Sequence, residues 1–391
     1  MTLIATLTIS NLPVLIGDAL LSGKESGQNL AIPTIGNVSN VFPEGSGYTI
    51  TGLRQKINII NENLAIGWAG SYIAAKTIIS ELKKQSNSQK LTRQSIHDFF
   101  REIYRNPSEW GANQGVAFLG YIADSEGIEH FEYSFNDCLI YQTNSSRYGD
   151  VKICGSGNSY MENLLKKISR PSLGSGKIQT DFDDVVIECL TICGWLFSYE
   201  MSVSENLWSY YGGAYEIATL VEGRFQKLND ITYLAWIIEN IDIAPKLKLV
   251  NQGFKLAYID DLLCIHTINF DGLRDITSTV LDENEIYCLF PQTNTHIYFI
   301  LPIYKDISKS NLNKISEQRD LPRLTSEFNC NYLFPEIISS GKPFFACKPL
   351  RSNKLSLNPI KFIVGDNQRF LAIEHSYLEY LRNTFNDSTN P

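Results

Sequence analysis

A threonine at the head of a chain can carry its own base. Thr2 stands directly behind Met1, and once Met1 is removed it presents a hydroxyl and a free α-amine on neighbouring carbons. A threonine hydroxyl is a weak nucleophile until something takes its proton, and an adjacent amine does that. With an unperturbed pKa of ~8, the amine suits general-base chemistry near neutral pH. Threonine is small enough for initiator methionine to be trimmed, so no propeptide cleavage is needed to expose it. The plainer reading of the same residues is an edge hairpin whose first residue happens to be threonine.

Other chemistries find little support. The five histidines, His97, His130, His266, His296 and His375, lie far apart and show neither a metal-ligand spacing nor a Ser-His-Asp pattern. The eight cysteines contain no C-x-x-C pair; Cys189 and Cys193 would share one helix face, and all read as reduced thiols with no zinc site. No metal and no cofactor is expected. A formal net charge of -8 with no basic cluster argues against a nucleic-acid surface. A composition 43% hydrophobic and 19% charged is that of an ordinary globular protein. No run of about 18 apolar residues is present to span a membrane. No Lys or Arg precedes Lys24, so the n-region of a signal peptide is missing. A cytoplasmic protein with neither nucleic-acid nor membrane partners is expected.

The elements that must position Thr2 follow from hydrophobic spacing. Residues 2–18 read as two strands around a turn at Asn11-Leu12-Pro13, the second ending on Gly17-Asp18. Residues 19–53 form a long excursion rich in Gly, Asn, Ser and Pro, without periodicity, expected to be a loop. A second hairpin spans 54–69. From Ser71 the residues Ile73, Ala74, Thr77, Ile78 and Leu82 recur at helical spacing, ending at Lys83-Lys84, with a polar break at 86–89. A second helix carries Ile96, Phe99, Phe100, Ile103 and Tyr104 and stops before Asn106-Pro107. Strands are expected at 115–123, 128–134, 139–142 and 151–154, helices from Asn158 to before Arg170 and over 181–200, and strands at 215–221 and 231–238. Beyond about Pro245, strands are expected at 254–259, 262–269, 285–291, 296–302 and 362–364. The stretch 303–321 admits a helix, a closing helix falls around 378–381, and residues 386–391 form a frayed tail.

Several short markers fall in a telling order: Thr2, Gly17-Asp18, Lys56, Ala69-Gly70-Ser71, Gly120-Tyr121, Gly155-Ser156-Gly157 and Gly212-Gly213. In that order the chain resembles the proteasome β-subunit family of N-terminal nucleophile hydrolases over roughly residues 2–236. The resemblance implies an α+β fold, a four-layer αββα sandwich of two antiparallel sheets between helices. It implies a domain over 1–245, followed by an α+β region over 246–391 of unknown role. In the family the connection at 19–53 is shorter, so much of it looks like an insertion beside the active-site strands, where it would shape or cover a substrate cleft.

The resemblance also implies roles. Thr2 matches the nucleophile, Lys56 the active-site lysine and Asp18 its carboxylate partner: the cation stabilises a developing alkoxide and the acid keeps the lysine charged and aimed. Gly70 matches the backbone N–H donor to the oxyanion, and Ser156 the serine near the terminal amine. Each also has a structural reading: Lys56 as a strand-face charge, Asp18 as a turn acid, Ser156 as a helix N-cap. One departure stands out. Where the family carries an aspartate and a serine before its late Gly-Gly, this chain has Trp208 and Tyr211, with Glu205 and Ser209 nearby. Two functions follow: a threonine-type protease or amidohydrolase acting on a peptide or amide substrate through an acyl ester, or a catalytically silent assembly subunit. A single residue ahead of Thr2 favours the first, and a homo-oligomer is expected for either.

Overall fold

Thr2 leads straight into the centre of a sheet. The computed structural model describes residues 2–24, 31–32, 34, 36–37, 41–42, 47–168, 182–203, 205–229, 231–239, 246–259, 261–269, 276–280, 296–300, 360–364 and 369–373. The chain divides into two compact units. The first comprises residues 1–170, 180–193 and 203–228, and the second comprises 171–179, 194–202 and 229–391. The described residues form a mixed α+β structure in which the sheets are mostly antiparallel.

In the first unit β1 (Ile4–Ile9) turns into β2 (Leu12–Asp18) through Ser10 and Asn11, both at positive φ. Ile9 pairs with Leu12, so this is a two-residue hairpin turn of the kind Asn favours, one residue earlier than the Asn11-Leu12-Pro13 expectation. The excursion that follows is not a plain loop. β3 (Leu20–Lys24) pairs with β6 (Tyr48–Leu53), and β4 (Ala31–Ile32) with β5 (Gly36–Asn37). Gly, Ser and Lys in these strands carry little β-propensity, and a bulge at Leu21/Ser22 breaks their alternation, which hid the pairing in sequence.

β7 (Ile57–Asn61) and β8 (Leu64–Gly70) form the expected second hairpin. Helix α1 (Tyr72–Ser88) starts from a Ser71 N-cap and, in place of the expected break at 86–89, continues past Lys83-Lys84 to Ser88. Helix α2 (Arg93–Arg105) opens on a capping box between Thr92 and Ser95 and ends ahead of Pro107. Then come β9 (Val116–Asp124), β10 (Gly127–Phe135), β11 (Ile140–Ser145), β12 (Gly149–Cys154), α3 (Asn158–Ile168), α4 (Phe182–Val203), the short α5 (Glu205–Trp208), β13 (Tyr215–Val221) and β14 (Arg224–Lys227).

Two antiparallel sheets result, in the orders β11-β12-β1-β2-β13-β14 and β10-β9-β8-β7. They face each other across a core of Ile4, Leu15, Ile57, Ala65, Ala69, Leu119, Ala218 and Phe225. The other face of the four-stranded sheet packs Ile66, Trp68, Phe118 and Phe131 against Ala74, Ile78, Phe99 and Phe100 of α1 and α2. β8 shows why the layers lie close. Its odd positions are Ala65, Gly67 and Ala69, and a Cβ on Gly67 would sit 2.8 Å from Ile4. Its even positions, Leu64, Ile66 and Trp68, fill the space under the helices. α3 lies on β11 and β12.

The second unit holds a five-stranded sheet of β15 (Ile231–Glu239), β16 (Lys246–Ile259), β17 (Leu262–Asn269), β18 (Ile276–Val280) and β19 (His296–Ile300), in the order β18-β17-β16-β15-β19. Only its β15/β19 pair is parallel. A separate pair joins β20 (Ile360–Val364) to β21 (Arg369–Ile373). The expected strand at 285–291, the helices at 303–321 and 378–381 and the tail at 386–391 lie outside the described residues. Among the described residues no helix is long and apolar enough to cross a membrane.

Candidate active site

Four strand ends of the six-stranded sheet converge where the chain begins. Ile4 pairs with both Gly17 of β2 and Cys154 of β12, and Tyr215 of β13 pairs with Asp18. Thr2, Asp18, the 155–157 turn and the start of β13 are thereby gathered at one edge by backbone register alone. Lys56 arrives from the facing sheet, one residue before β7.

Their side chains meet. Thr2 is 1% exposed; its hydroxyl donates to Asp18 Oδ1 at 2.5 Å and accepts from Lys56 Nζ in a very short contact. Lys56 Nζ also donates to Asp18 Oδ1 at 2.8 Å and to the Leu20 carbonyl at 2.6 Å. An ammonium has three N–H donors, and all three are used. Asp18 is as fully employed. Besides Thr2 and Lys56, its Oδ1 accepts from the Leu3 N–H at 2.8 Å, and Oδ2 accepts from the N–H groups of Leu20 and Gly212 at 3.1 and 3.0 Å. Lys56 is 1% exposed, so it is no solvated strand-face charge. Burial pushes the Lys56 ammonium below its ordinary value, while the charge of Asp18, its hydrogen bond and the charge of Glu216 pull it back up. The ring of Trp68 lies 5.9 Å from Nζ, within cation–π range.

The Gly155-Ser156-Gly157 turn wraps the Thr2 backbone. Gly155 has φ +101, and a Cβ there would stand 2.0 Å from the Thr2 carbonyl oxygen, so only glycine fits. Gly157 N–H donates to that same carbonyl at 3.3 Å. Ser156 itself turns away: its hydroxyl donates to the Ser209 carbonyl. Gly70 ends β8 at φ +97 with the Gly115 carbonyl against its Cα, and among the described residues no hydrogen bond links it to Thr2, Asp18 or Lys56. The structure therefore joins Thr2, Asp18 and Lys56 directly and Ser156 through its neighbours, and leaves Gly70 outside the hydrogen-bonded cluster.

The departure at the late Gly-Gly is also visible. Trp208 is 53% exposed with its ring 4.8 Å from Phe42, and Tyr211 is buried. Neither position supplies a carboxylate or a serine hydroxyl. The 19–53 segment is rooted in the cluster, because both backbone groups of Leu20 bond to it and Phe42 touches Trp208.

Sequence reasoning missed Glu216. It is 1% exposed, and its Oε1 accepts the N–H groups of Lys56 and Ile57 at 2.5 and 3.1 Å. The available signal was a lone acid in an otherwise apolar run, Ala214-Tyr215-Glu216-Ile217-Ala218. Among the described residues no group of His, Cys, Asp and Glu is arranged to hold a metal ion. No protein-family model matches this chain, and no curated protein does.

Proposed function

We propose that this chain is an N-terminal-threonine hydrolase of the proteasome β-subunit type, cleaving a peptide or amide bond through an acyl ester on Thr2. The observation that carries the reading is the three-way contact of the Thr2 hydroxyl, the Asp18 carboxylate and the Lys56 ammonium, all fully buried. Support for the αββα layering comes from two antiparallel sheets packed face to face, with α1 and α2 on one outer face and α3 against the other sheet.

In the proposed reaction Met1 is removed first, freeing the Thr2 amine. The amine takes the hydroxyl proton as the oxygen attacks the carbonyl carbon, and the Lys56 ammonium, already donating to that oxygen, stabilises its developing charge. The proton held on the amine passes to the leaving amine as the C–N bond breaks, which leaves the acyl ester. Water then attacks the ester with the Thr2 amine again as base. The oxyanion donor assigned to Gly70 needs its N–H turned to the substrate carbonyl. A homo-oligomer built on α1, where Ile73 stands 66% exposed, belongs to the same reading, and sedimentation would report it.

A second reading, a catalytically silent assembly subunit, is favoured by Ser156 bonding to Ser209 and by Trp208 and Tyr211 in place of an acid and a serine. One experiment separates the two. The hydrolase reading expects purified protein to lack Met1 and to react with an α′,β′-epoxyketone, which closes a ring with an N-terminal 1,2-amino alcohol. Thr2→Ala should lose labelling and hydrolysis, while Thr2→Ser, which keeps both groups at the same spacing, should retain part of each. Hydrolysis by protein that still carries Met1 refutes the threonine mechanism; loss of Met1 with neither labelling nor turnover leaves the silent subunit.

A further inference from the structure

β13 is buried along most of its length, and two of its side chains, Glu216 and Thr219, are buried and polar. Thr219 donates to the Pro13 carbonyl and needs no further account. Glu216 does. It lies directly across from Gly17 on β2, so both residues face the same side of the sheet. A Cβ on Gly17 would meet Ile4 at 2.7 Å and Ile57 at 2.8 Å, which identifies that side as the one packed on the facing sheet. The Glu216 carboxylate crosses the layer there and takes the two N–H groups at Lys56 and Ile57 on one oxygen, while its other oxygen lies 3.9 Å from Lys227 Nζ. A neutral amide oxygen would satisfy those N–H groups, and an ionised acid buried at this depth is costly unless its charge is used.

We propose that Glu216 is a positioning residue of the Thr2 site, clamping the backbone at Lys56 so that its ammonium reaches Thr2 and setting a second carboxylate against the main chain of that residue. The proposal rests on reading Lys56 as the working cation of the proposed reaction. The groups facing the Lys56 ammonium are Thr2 from the chain start, Asp18 from β2, the Leu20 carbonyl and the Trp68 ring from β8, while Glu216 from β13 holds the Lys56 backbone N–H, with Lys227 of β14 behind Glu216. Burial lowers the pKa of Lys56, and Asp18 and then Glu216 oppose that. Without the Glu216 charge, Lys56 gives up its proton at a lower pH.

The test uses full-length protein, with lysine labelled at its ε position for NMR and the Lys56 signal assigned by its loss in Lys56→Met. The second readout is the rate of Thr2 labelling by the epoxyketone across pH. Glu216→Gln keeps an oxygen for the backbone and removes the charge. Its Lys56 titration midpoint and the alkaline limb of the labelling rate are both expected to move to lower pH, with half-saturation within about twofold of wild type. Glu216→Asp keeps the charge but withdraws the oxygen from the backbone. It is expected to lower the maximal labelling rate roughly a hundredfold, the cost of a misplaced catalytic group, with the midpoint near wild type. A midpoint unchanged in Glu216→Gln, or a labelling rate unchanged in Glu216→Asp, overturns the proposal, and the second arm stands alone if Glu216→Gln does not fold. Wild-type protein that fails to label refutes the hydrolase reading instead, while the NMR midpoint still reports on Glu216.

Discussion

Replacing Asp18 by asparagine changes almost no volume, so its effect isolates charge and hydrogen bonding. The carboxylate accepts five donors, three on Oδ1 and two on Oδ2. An asparagine has one acceptor oxygen and one amide that donates, so in either orientation its NH2 faces donors. The cheaper choice keeps the oxygen toward Thr2, Leu3 and Lys56 and orphans the N–H groups of Leu20 and Gly212, at roughly 1–3 kcal/mol each. The larger loss is the ion pair: Lys56 and Asp18 are 1% and 0% exposed, and removing one partner of a buried pair costs about 3–5 kcal/mol. The two losses overlap, because Lys56 can shed its proton, so an effect near the upper end of ~3–5 kcal/mol is expected at pH 7. Urea denaturation followed by tryptophan fluorescence measures it. The pH dependence fixes the cause. In Asp18→Asn the folded state gives up the Lys56 proton well below 10.5, while the unfolded chain holds it up to about that value. The unfolded state then binds more protons and stability rises with pH in that window, and the deficit against wild type narrows as pH rises from the variant's folded-state Lys56 pKa to the wild type's. In a Lys56→Met background the same substitution should cost far less, because the charge it would strand is gone. A loss under ~1 kcal/mol at pH 7, or an equal loss in both backgrounds, would refute a buried ion pair as the organiser of the site.

Two further outcomes follow from the geometry. Gly155→Ala places a Cβ 2.0 Å from the Thr2 carbonyl at φ +101, so it should displace Thr2, abolish epoxyketone labelling and cost about 1–3 kcal/mol; labelling at the wild-type rate would refute it. His130, which shares a hydrogen bond with Thr6 Oγ1, has its pKa pulled down from 6.5 to about 4, chiefly by burial and then by Lys152. The unfolded chain then takes up the proton first, so stability should fall as pH drops from 6.5 to 4, by at most ~3 kcal/mol. Denaturation curves of His130→Gln should show a shallower acid slope, and an identical slope would count against it.

The strands around Thr2, Asp18 and Lys56 were legible in the sequence because their residue patterns are local, whereas the three residues themselves were picked out only by the resemblance in marker order. Asp18 closes an apolar strand, Lys56 precedes an alternating hairpin, and Thr2 stands just before the β-rich run of β1. The helices were legible for the same reason: the spacing of Ile96, Phe99, Phe100 and Ile103 is the buried face of α2, and the Thr92/Ser95 box marks its start. Most of what surrounds the three site residues was not legible. The Leu20 carbonyl and the Leu3, Leu20 and Gly212 N–H groups are main-chain atoms that every residue type carries, so no side-chain pattern announces them. The Ser156 hydroxyl meets the Ser209 carbonyl only because the 205–212 segment passes its turn. Glu216 is 160 residues from Lys56 along the chain, and its carboxylate is a clamp only because β13 pairs with β2 and the second sheet packs on that face. Periodicity follows from interactions within a few residues, whereas a buried charge is stable only where distant strands bring it donors, and that pairing is a property of the folded layers alone.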